Sequence, residues 1–133
     1  MSDMGPPPRP VAPATPSPPP DLVVTAAGFM RARVLLSAVE LGLVEALAGH
    51  ELTAAEAAAR CAADPEAVAV LLDALAAQGV LHKSGSKYSL PASAADQAGA
   101  GGLEPRLDLL RHLAAQWAVW SRLTAVARAG RAA

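Results

Sequence analysis

The sequence predicts a mainly α-helical fold, a winged helix-turn-helix with one small β-hairpin, flanked by a long helix on each side. Two helix-start signals follow each other closely: a T-x-x-E capping box that begins at Thr53 and an Asp-Pro-Glu start at Asp64. A Ser-Gly-Ser turn then separates two short segments suited to strands, 80–83 and 87–90. Apolar residues at helical spacing precede and follow this unit, which predicts the two flanking helices.

The first flanking helix is predicted over Leu22–Leu41, with Asp21 as its N-cap. Residues 1–20 before it hold nine of the twelve prolines, so we expect a disordered or polyproline-II leader. The helix is apolar on almost every side, and a helix of that kind must be covered on more than one face. This predicts a homodimer. The thin polar line of the helix consists of Arg33, Ser37 and Glu40.

The winged-helix domain is predicted over residues 21–90. Gly42 ends the first helix, and a short second helix follows as far as Gly49. The capping box starts a third helix, and the Asp-Pro-Glu signal starts a fourth that ends at Gly79 in a left-handed cap. The segment 50–52 is expected to add a small third strand to the hairpin.

The remaining chain is predicted to form a loop over 91–102 and one amphipathic linker and dimerisation helix over 103–130. Its stripe recurs every three or four residues and ends at Gly130. The members of the stripe are Leu103, Leu107, Leu110, Leu113, Trp117, Trp120 and Leu123.

Composition argues against several classes of protein. The net charge is −1, so no charge excess favours nucleic acid or an anionic membrane as a partner. Hydrophobic residues make up 53% of the chain and aromatics only 3%, so much of the apolar content is alanine.

We expect Cys61 to be a small buried hydrophobe near a helix end. No continuous apolar run long enough to span a membrane and no signal peptide is evident, and a cytoplasmic location fits.

No residue set predicts chemistry. The histidines His50, His82 and His112 lack the i, i+3 or i, i+4 spacing of a metal pair. No nucleophile–base set and no carboxylate pair stands out. Gly99, Gly101 and Gly102 belong to no strand–loop–helix unit of the kind that holds a nucleotide. We therefore predict no catalytic, cofactor-binding or metal-binding residue.

Residues 22–130 resemble the N-terminal dimerisation domain and linker helix of S-adenosylmethionine-dependent small-molecule O-methyltransferases, of the hydroxyneurosporene-methyltransferase-like kind. The resemblance is carried by GFMRARVLLSAVELGLVEAL, by LTAAEAAARCAADPEAVAVLLDALAAQGVL and by YSL in the second wing strand. It implies a homodimerisation module of an enzyme family of secondary metabolism. In that family a catalytic domain that binds the cofactor follows, and here the sequence ends where that domain would begin. We therefore expect a fragment or a gene that keeps only the dimerisation half, inactive by itself unless a catalytic domain supplies S-adenosylmethionine binding.

The resemblance implies two groups of site residues. The dimer interface is expected to contain Phe29, Met30, Val34, Leu35, Leu110 and Leu113. We expect Trp117 and Trp120 to anchor the core or the interface, with Trp120 buried against the first helix or its dimer mate, and lining a substrate pocket is the alternative for both. His112 is a further candidate for lining that pocket, and a surface or helix-packing position is its alternative.

A winged helix also suggests a transcriptional regulator that binds DNA. Such a protein places the second helix of its motif in the major groove and needs basic or amide side chains there. The helix from Asp64 to Gln78 contains Glu66 and Asp73 and no lysine or arginine. Its charge would repel phosphate, which favours the dimerisation module over the regulator.

Overall fold

A computed structural model describes residues 5, 7–13, 15–97 and 102–130. The predicted fold class is confirmed: a helix-turn-helix unit with a small wing lies between longer helical segments at both ends. The elements are α1 (Leu22–Leu41), α2 (Leu43–Leu47), β1 (Leu52–Thr53), α3 (Ala54–Arg60), α4 (Pro65–Ala77), β2 (His82–Ser84), β3 (Lys87–Ser89), α5 (Ala92–Gln97), α6 (Glu104–Ala115), α7 (Trp117–Trp120) and α8 (Leu123–Ala129).

The helix starts lie where the capping residues predicted them. Asp21 Oδ1 accepts a hydrogen bond from Val24 N at 2.9 Å, and Asp64 Oδ1 accepts one from Ala67 N at 2.8 Å. Thr53 Oγ1 accepts from Glu56 N at 3.2 Å and also donates to the Glu56 carboxylate at 3.0 Å. Each cap satisfies a backbone N–H that has no partner within its own helix.

Two glycines separate consecutive elements by adopting left-handed backbone conformations. Gly42 has φ +81° between α1 and α2, and Gly79 has φ +78° after α4. The turn at Gly79 is held by a hydrogen bond in which Val80 N donates to Leu75 O, near the end of α4, at 2.9 Å. Only glycine adopts such φ values without a steric penalty, so each turn direction is set by the sequence.

The sheet has three antiparallel strands in the order β1-β3-β2, so the predicted third strand is confirmed. Leu52 lies opposite Tyr88, and Lys83 lies opposite Tyr88 on the other side. Tyr88 is buried at the centre of this small sheet. The first wing strand begins at His82 rather than Val80, because Val80 and Leu81 complete the end of α4.

The core is aliphatic apart from Tyr88 and lies between the second half of α1, α2, α3, α4, the wing and the inner side of α6. Ala57 and Ala58 are fully buried, which lets α3 pack closely on its neighbours. The largest completely buried side chains are Leu43, Leu47, Leu72, Leu75, Leu107 and Val68.

A charged cluster holds α6 against this core. Arg111 forms ion pairs with Glu104 at 3.0 Å and Asp108 at 2.7 Å on its own helix, and with Glu45 on α2. The three carboxylates raise the pKa of the Arg111 guanidinium far above its usual value. Arg111 is thus the polar contact between α2 and α6, beside the apolar contact of Leu107.

Two predictions about the C-terminal third were wrong. Part of the segment predicted as a loop, 91–102, forms the short helix α5. The single helix predicted over 103–130 is instead three helices, interrupted at Gln116 and again at Ser121–Arg122. The backbone at Gln116 stays in the right-handed helical region, with φ −80° and ψ −7°, and α6 ends there.

α1 matches its predicted bounds, but only its second half joins the core. Its buried residues are Leu36, Ala38 and Val39. By length and mean hydropathy, 1.6 over an 18-residue window, α1 is also apolar enough to cross a membrane, although Arg31 and Arg33 interrupt its apolar run. Helices that pack in protein cores pass the same test, so this property is weak evidence for a membrane span.

We expect Leu72→Ala to destabilise the domain strongly, because Leu72 is fully buried. Removing such a side chain leaves a cavity and costs about 2–5 kcal/mol of unfolding free energy. Val70→Ala on the same helix is the matched control, since Val70 is 70% exposed and its truncation should stay within about 0.5 kcal/mol of wild type. Urea unfolding followed by circular dichroism measures both; equal losses would contradict the described core.

Candidate interaction surface

Large apolar side chains are exposed on two neighbouring parts of the chain, the first half of α1 and the C-terminal helices. We call this set the apolar face. No residue of α7 or α8 is buried, and every buried residue of α1 lies in its second half. The members of the apolar face are Leu22, Val23, Val24, Phe29, Met30, Leu109, Leu113, Val119, Trp120 and Leu123. Exposed large apolar side chains that lie together on a protein surface commonly mark a site of interaction.

Phe29 and Trp117 join the two parts of this face. Their ring centroids are 6.4 Å apart and the ring planes are inclined by 45°. The Arg33 guanidinium lies 5.3 Å from the centre of the Trp117 ring, and Arg33 Nη2 also donates to Glu40 at 2.9 Å. The cation therefore covers one face of Trp117 and is neutralised by a carboxylate one turn further along α1.

An open groove of about 300 Å³ lies between Phe29, Trp117, Trp120 and Ser121, and we call it the aromatic groove. The chain has two tryptophans, one phenylalanine and one tyrosine, and all but Tyr88 line this groove. Their concentration on an exposed surface is typical of an interface, where aromatic residues contribute most of the binding free energy.

The residues predicted for the dimer interface fall into two groups. Phe29 and Met30 are more than half exposed, and Leu113 is 43% exposed. The other three, Val34, Leu35 and Leu110, are half-buried and pack against the core. Leu35 and Leu110 also line a second, aliphatic cavity of about 210 Å³ between α1, α2 and α6.

The residues predicted for a substrate pocket are only partly brought together. Trp117 and Trp120 share the aromatic groove, and Trp120 is 65% exposed, so it is not buried against α1 of its own chain. His112 does not line the groove; its Nε2 lies 2.8 Å from Gln116 Nε2 on the exposed side of α6. Sequence reasoning missed Val119, which lines an adjacent apolar recess with Trp120, Leu123 and Val126.

The wing is tied to α4 by one carboxylate, that of Asp73. Asp73 Oδ1 accepts from Lys83 Nζ at 2.6 Å and from the Tyr88 hydroxyl at 2.5 Å. We call these three residues the wing latch. The two hydrogen bonds hold the pKa of the Asp73 carboxyl below its usual value, and the bond to Asp73 raises the pKa of the Lys83 ammonium. Burial raises the pKa of the Tyr88 hydroxyl, and its bond to Asp73 raises it further.

The described residues do not fit S-adenosylmethionine. The only strands in the described ranges are the three short antiparallel ones, and none leads through a glycine-rich turn into a helix that could hold an adenosyl cofactor. Gly99 and Gly101 lie outside the described residues. Within the described part of the chain no three histidine, cysteine or acidic residues converge as metal ligands. Cys61 is half-buried at the end of α3, and burial raises the pKa of its thiol, with a smaller contribution from Glu45.

The profile of the O-methyltransferase dimerisation domain matches residues 23–96. Among solved structures, the chain is similar to the mitomycin 7-O-methyltransferase MmcR, with a TM-score of 0.70, 29% identity and coverage of 84% of this chain and 34% of that one. It is also similar to PigF with SAH, with a TM-score of 0.69, 29% identity and coverage of 80% and 32%. A third similar structure is human N-acetylserotonin methyltransferase in complex with SAM, with a TM-score of 0.67 and 26% identity. The match covers 84% of this chain and 34% of that one.

The chain thus spans about a third of the length of each of these structures. A comparison with curated protein sequences found no match.

The wing latch predicts a specific dependence of stability on pH. The folded pKa of Asp73 lies below its unfolded value of about 3.9, so the latch stabilises the fold above that value and is lost as the pH falls through the folded pKa. The pKa of Lys83 is raised in the folded state, so the pH dependence of its contribution to stability runs in the opposite direction. That contribution is lost only in strong alkali, as the pH rises through the folded pKa of Lys83.

We expect Asp73→Asn to lower the Tm at pH 7 by a small amount and to flatten the acid branch of the Tm-against-pH curve between pH about 5 and 2. The effect is small because the carboxylate is exposed to solvent and screened by salt. Glu51→Gln is the control, an exposed carboxylate with no ion pair among the described residues. An unchanged acid branch in the Asp73 variant would contradict the latch.

Proposed function

Since the chain belongs to the O-methyltransferase dimerisation domain family, we propose that it acts as a homodimerisation module. The observation that carries this proposal is the apolar face, which the chain's own core leaves in water. A second copy of the chain is the occupant that the family description favours. In this dimer the α1 helices and the C-terminal helices of two copies interlock.

The interface proposed here centres on Phe29 and Met30 from α1 and Leu113 from α6. These side chains are exposed in the single chain, so burying them gains free energy only when a partner is present. Val34, Leu35 and Leu110 support them from the half-buried layer beneath, where they already contact the core. The rim is supplied by charged residues such as Arg33 and Glu40, which pair with each other and remain solvated.

Within the family, we propose that this module serves a small-molecule O-methyltransferase whose S-adenosylmethionine is bound by residues outside this chain. Two structures that resemble the chain contain SAH or SAM, and the chain spans about a third of each. Residues 7–13, 15–97 and 102–130 offer no cofactor cradle, so the chain alone is not expected to transfer a methyl group. Trp117 and Trp120 would contribute an aromatic wall to a substrate pocket completed by the rest of such an enzyme.

We propose no nucleic-acid and no membrane partner, and a cytoplasmic location. Asp73 and Glu66 make the exposed side of α4 acidic, and Lys83 of the wing is already paired with Asp73. A phosphate backbone would therefore meet negative charge where a DNA-binding winged helix presents positive charge. The apolar length of α1 is accounted for by the core contacts of its second half and the proposed partner of its first half.

We expect sedimentation equilibrium at micromolar concentration to show a dimer, and Met30→Glu to weaken it. The substitution places a charge in the interface, and its desolvation on association costs binding free energy. The fold of the single chain should be unaffected, since Met30 is 57% exposed. Val70→Glu, an equally drastic change on exposed α4, should leave the dimer intact. A wild-type chain that remains monomeric at these concentrations would overturn the proposal.

Trp120→Ala distinguishes a role in the interface from a role in the core. A buried tryptophan would cost about 3–5 kcal/mol on truncation, but Trp120 is 65% exposed in the single chain. We therefore expect its loss to lower the Tm only at protein concentrations where the dimer is populated, because association and folding are linked by mass action. Thermal melts over a wide concentration range measure this. A Tm decrease that is the same at every concentration would place Trp120 in the fold of the single chain.

A further inference from the structure

We propose that the exposed side of the C-terminal helices pairs with the same side of a second copy as an antiparallel coiled coil, with Gln116 of each copy opposite Trp120 of the other. This inference rests on the proposed homodimer and adds the orientation and register of its C-terminal segments. It is carried by the spacing of one set of side chains on α6, α7 and α8, which we call the outer stripe. The members of the outer stripe are Leu109, Leu113, Gln116, Trp120, Leu123 and Ala127.

The outer stripe has the spacing of a coiled-coil seam. From position 109 to position 127 its members recur at alternating intervals of four and three residues, the repeat with which one helix packs along another. At the two interruptions of the segment, the backbone of Gln116 and Ser121 stays in the right-handed helical region. No glycine or proline lies between positions 107 and 129, so small changes of ψ can align the three helices along a partner.

The outer stripe is separate from the side of α6 that packs on the core. On that inner side Leu107 and Ala114 are buried, and Leu110 is half-buried. The large apolar members of the outer stripe are instead all exposed: Leu109, Leu113, Trp120 and Leu123. The chain's own core thus covers one apolar side of the segment and leaves the other to a partner.

A recess beside Trp120 has the form that a coiled-coil partner fills. Its volume is about 250 Å³, and its walls are Val119 and Trp120 from the end of α7 and Leu123 and Val126 from the start of α8. In a coiled coil, each apolar side chain of one helix inserts into a hole formed by four side chains of the facing helix. In the proposed register Leu113 of the second copy lies opposite Leu123, so its side chain enters this recess.

The composition of the outer stripe favours the antiparallel orientation. A parallel pair would place Trp120 against Trp120, which puts the two largest side chains in one layer, and Gln116 against Gln116 in another. The antiparallel pair alternates large and small partners, since Leu109 meets Ala127 and each tryptophan meets a glutamine. An indole N–H can only donate a hydrogen bond, and the amide oxygen of Gln116 can accept it.

The charges of the segment favour the same orientation. In its first part Arg111 is neutralised by Glu104 and Asp108, whereas its last part contains Arg122 and Arg128 and no acidic residue. A parallel pair would bring the basic last parts of both copies to one end, where they would repel each other. An antiparallel pair places them at opposite ends, each beside the first part of the other copy.

Single and paired cysteines distinguish the two orientations. The full-length Cys61→Ala chain is the background, because Cys61 is the only cysteine. In the antiparallel register Leu113 faces Leu123 of the second copy, whereas the two Leu113 residues are offset by ten residues, about 15 Å along the axis. A disulfide requires Cα atoms within about 7 Å of each other. Under mild oxidation we therefore expect no covalent dimer from Leu113→Cys or Leu123→Cys alone, and a covalent dimer from the double variant.

Ala118→Cys is the matched control, because Ala118 is exposed midway along the segment but on the opposite side of the helix from the outer stripe. It should give no covalent dimer. A covalent dimer from either single variant in the outer stripe would overturn the antiparallel orientation, since like residues face each other only in a parallel pair. Cross-linking of Ala118→Cys as fast as that of the double variant would overturn the proposal as well.

Sedimentation equilibrium under reducing conditions measures association separately. A chain that dimerises while its double variant fails to cross-link would overturn the helix pair and leave the proposed homodimer standing, whereas a wild-type monomer would overturn both. A second readout avoids cysteines: Trp117→Phe leaves Trp120 as the single tryptophan. We expect its emission maximum to shift to the blue over the concentrations at which the dimer forms, because the partner buries the indole. Unchanged emission across that range would overturn the proposal.

Discussion

The small area of helix surface that the core can bury determines which parts of the chain remain exposed to water. The core contains no tryptophan or phenylalanine, and its largest fully buried side chains are leucines. Alanines such as Ala57 and Ala58 let the short helices approach closely, but each buries little area. This core includes α2, α3, α4, the wing, the second half of α1 and the inner side of α6, where Leu107 and Ala114 are buried. The rest of α1 and the last two helices extend beyond it, so their apolar side chains remain in water.

Much of the fold could be predicted because local chemistry marks its boundaries. Asp21, Thr53 and Asp64 each cap a helix through a short side chain, and Gly42 and Gly79 each permit a left-handed turn. These signals act over three or four residues and do not depend on tertiary context. The bounds of α1 and the start of α4 therefore followed directly from the sequence.

The C-terminal region could not be predicted in the same way. Gln116 and Ser121 carry no helix-breaking signal, and the apolar stripe continues through both positions at helical spacing. The interruption at Gln116 accompanies the contact of Trp117 with Phe29 and Arg33, two residues more than eighty positions earlier in the chain. Periodicity identifies which residues are apolar, but it does not tell whether the chain's own core or a partner covers them. For that reason the aromatic groove, and the exposure of Trp120, required the structure.

Because the core is small, the residues that stabilise the folded unit differ from the exposed residues that are available to a partner. The wing latch and the Arg111 cluster hold elements that already pack on the core, whereas Phe29, Met30 and Trp120 contribute little to it. Substitutions on the apolar face can therefore alter association without unfolding the chain. The reverse does not hold: an alanine-rich core leaves a small margin of stability, and any occupant that binds only the folded state adds to that margin. Covering the apolar face is thus both the function that we propose for this chain and a source of the stability that its own core cannot supply.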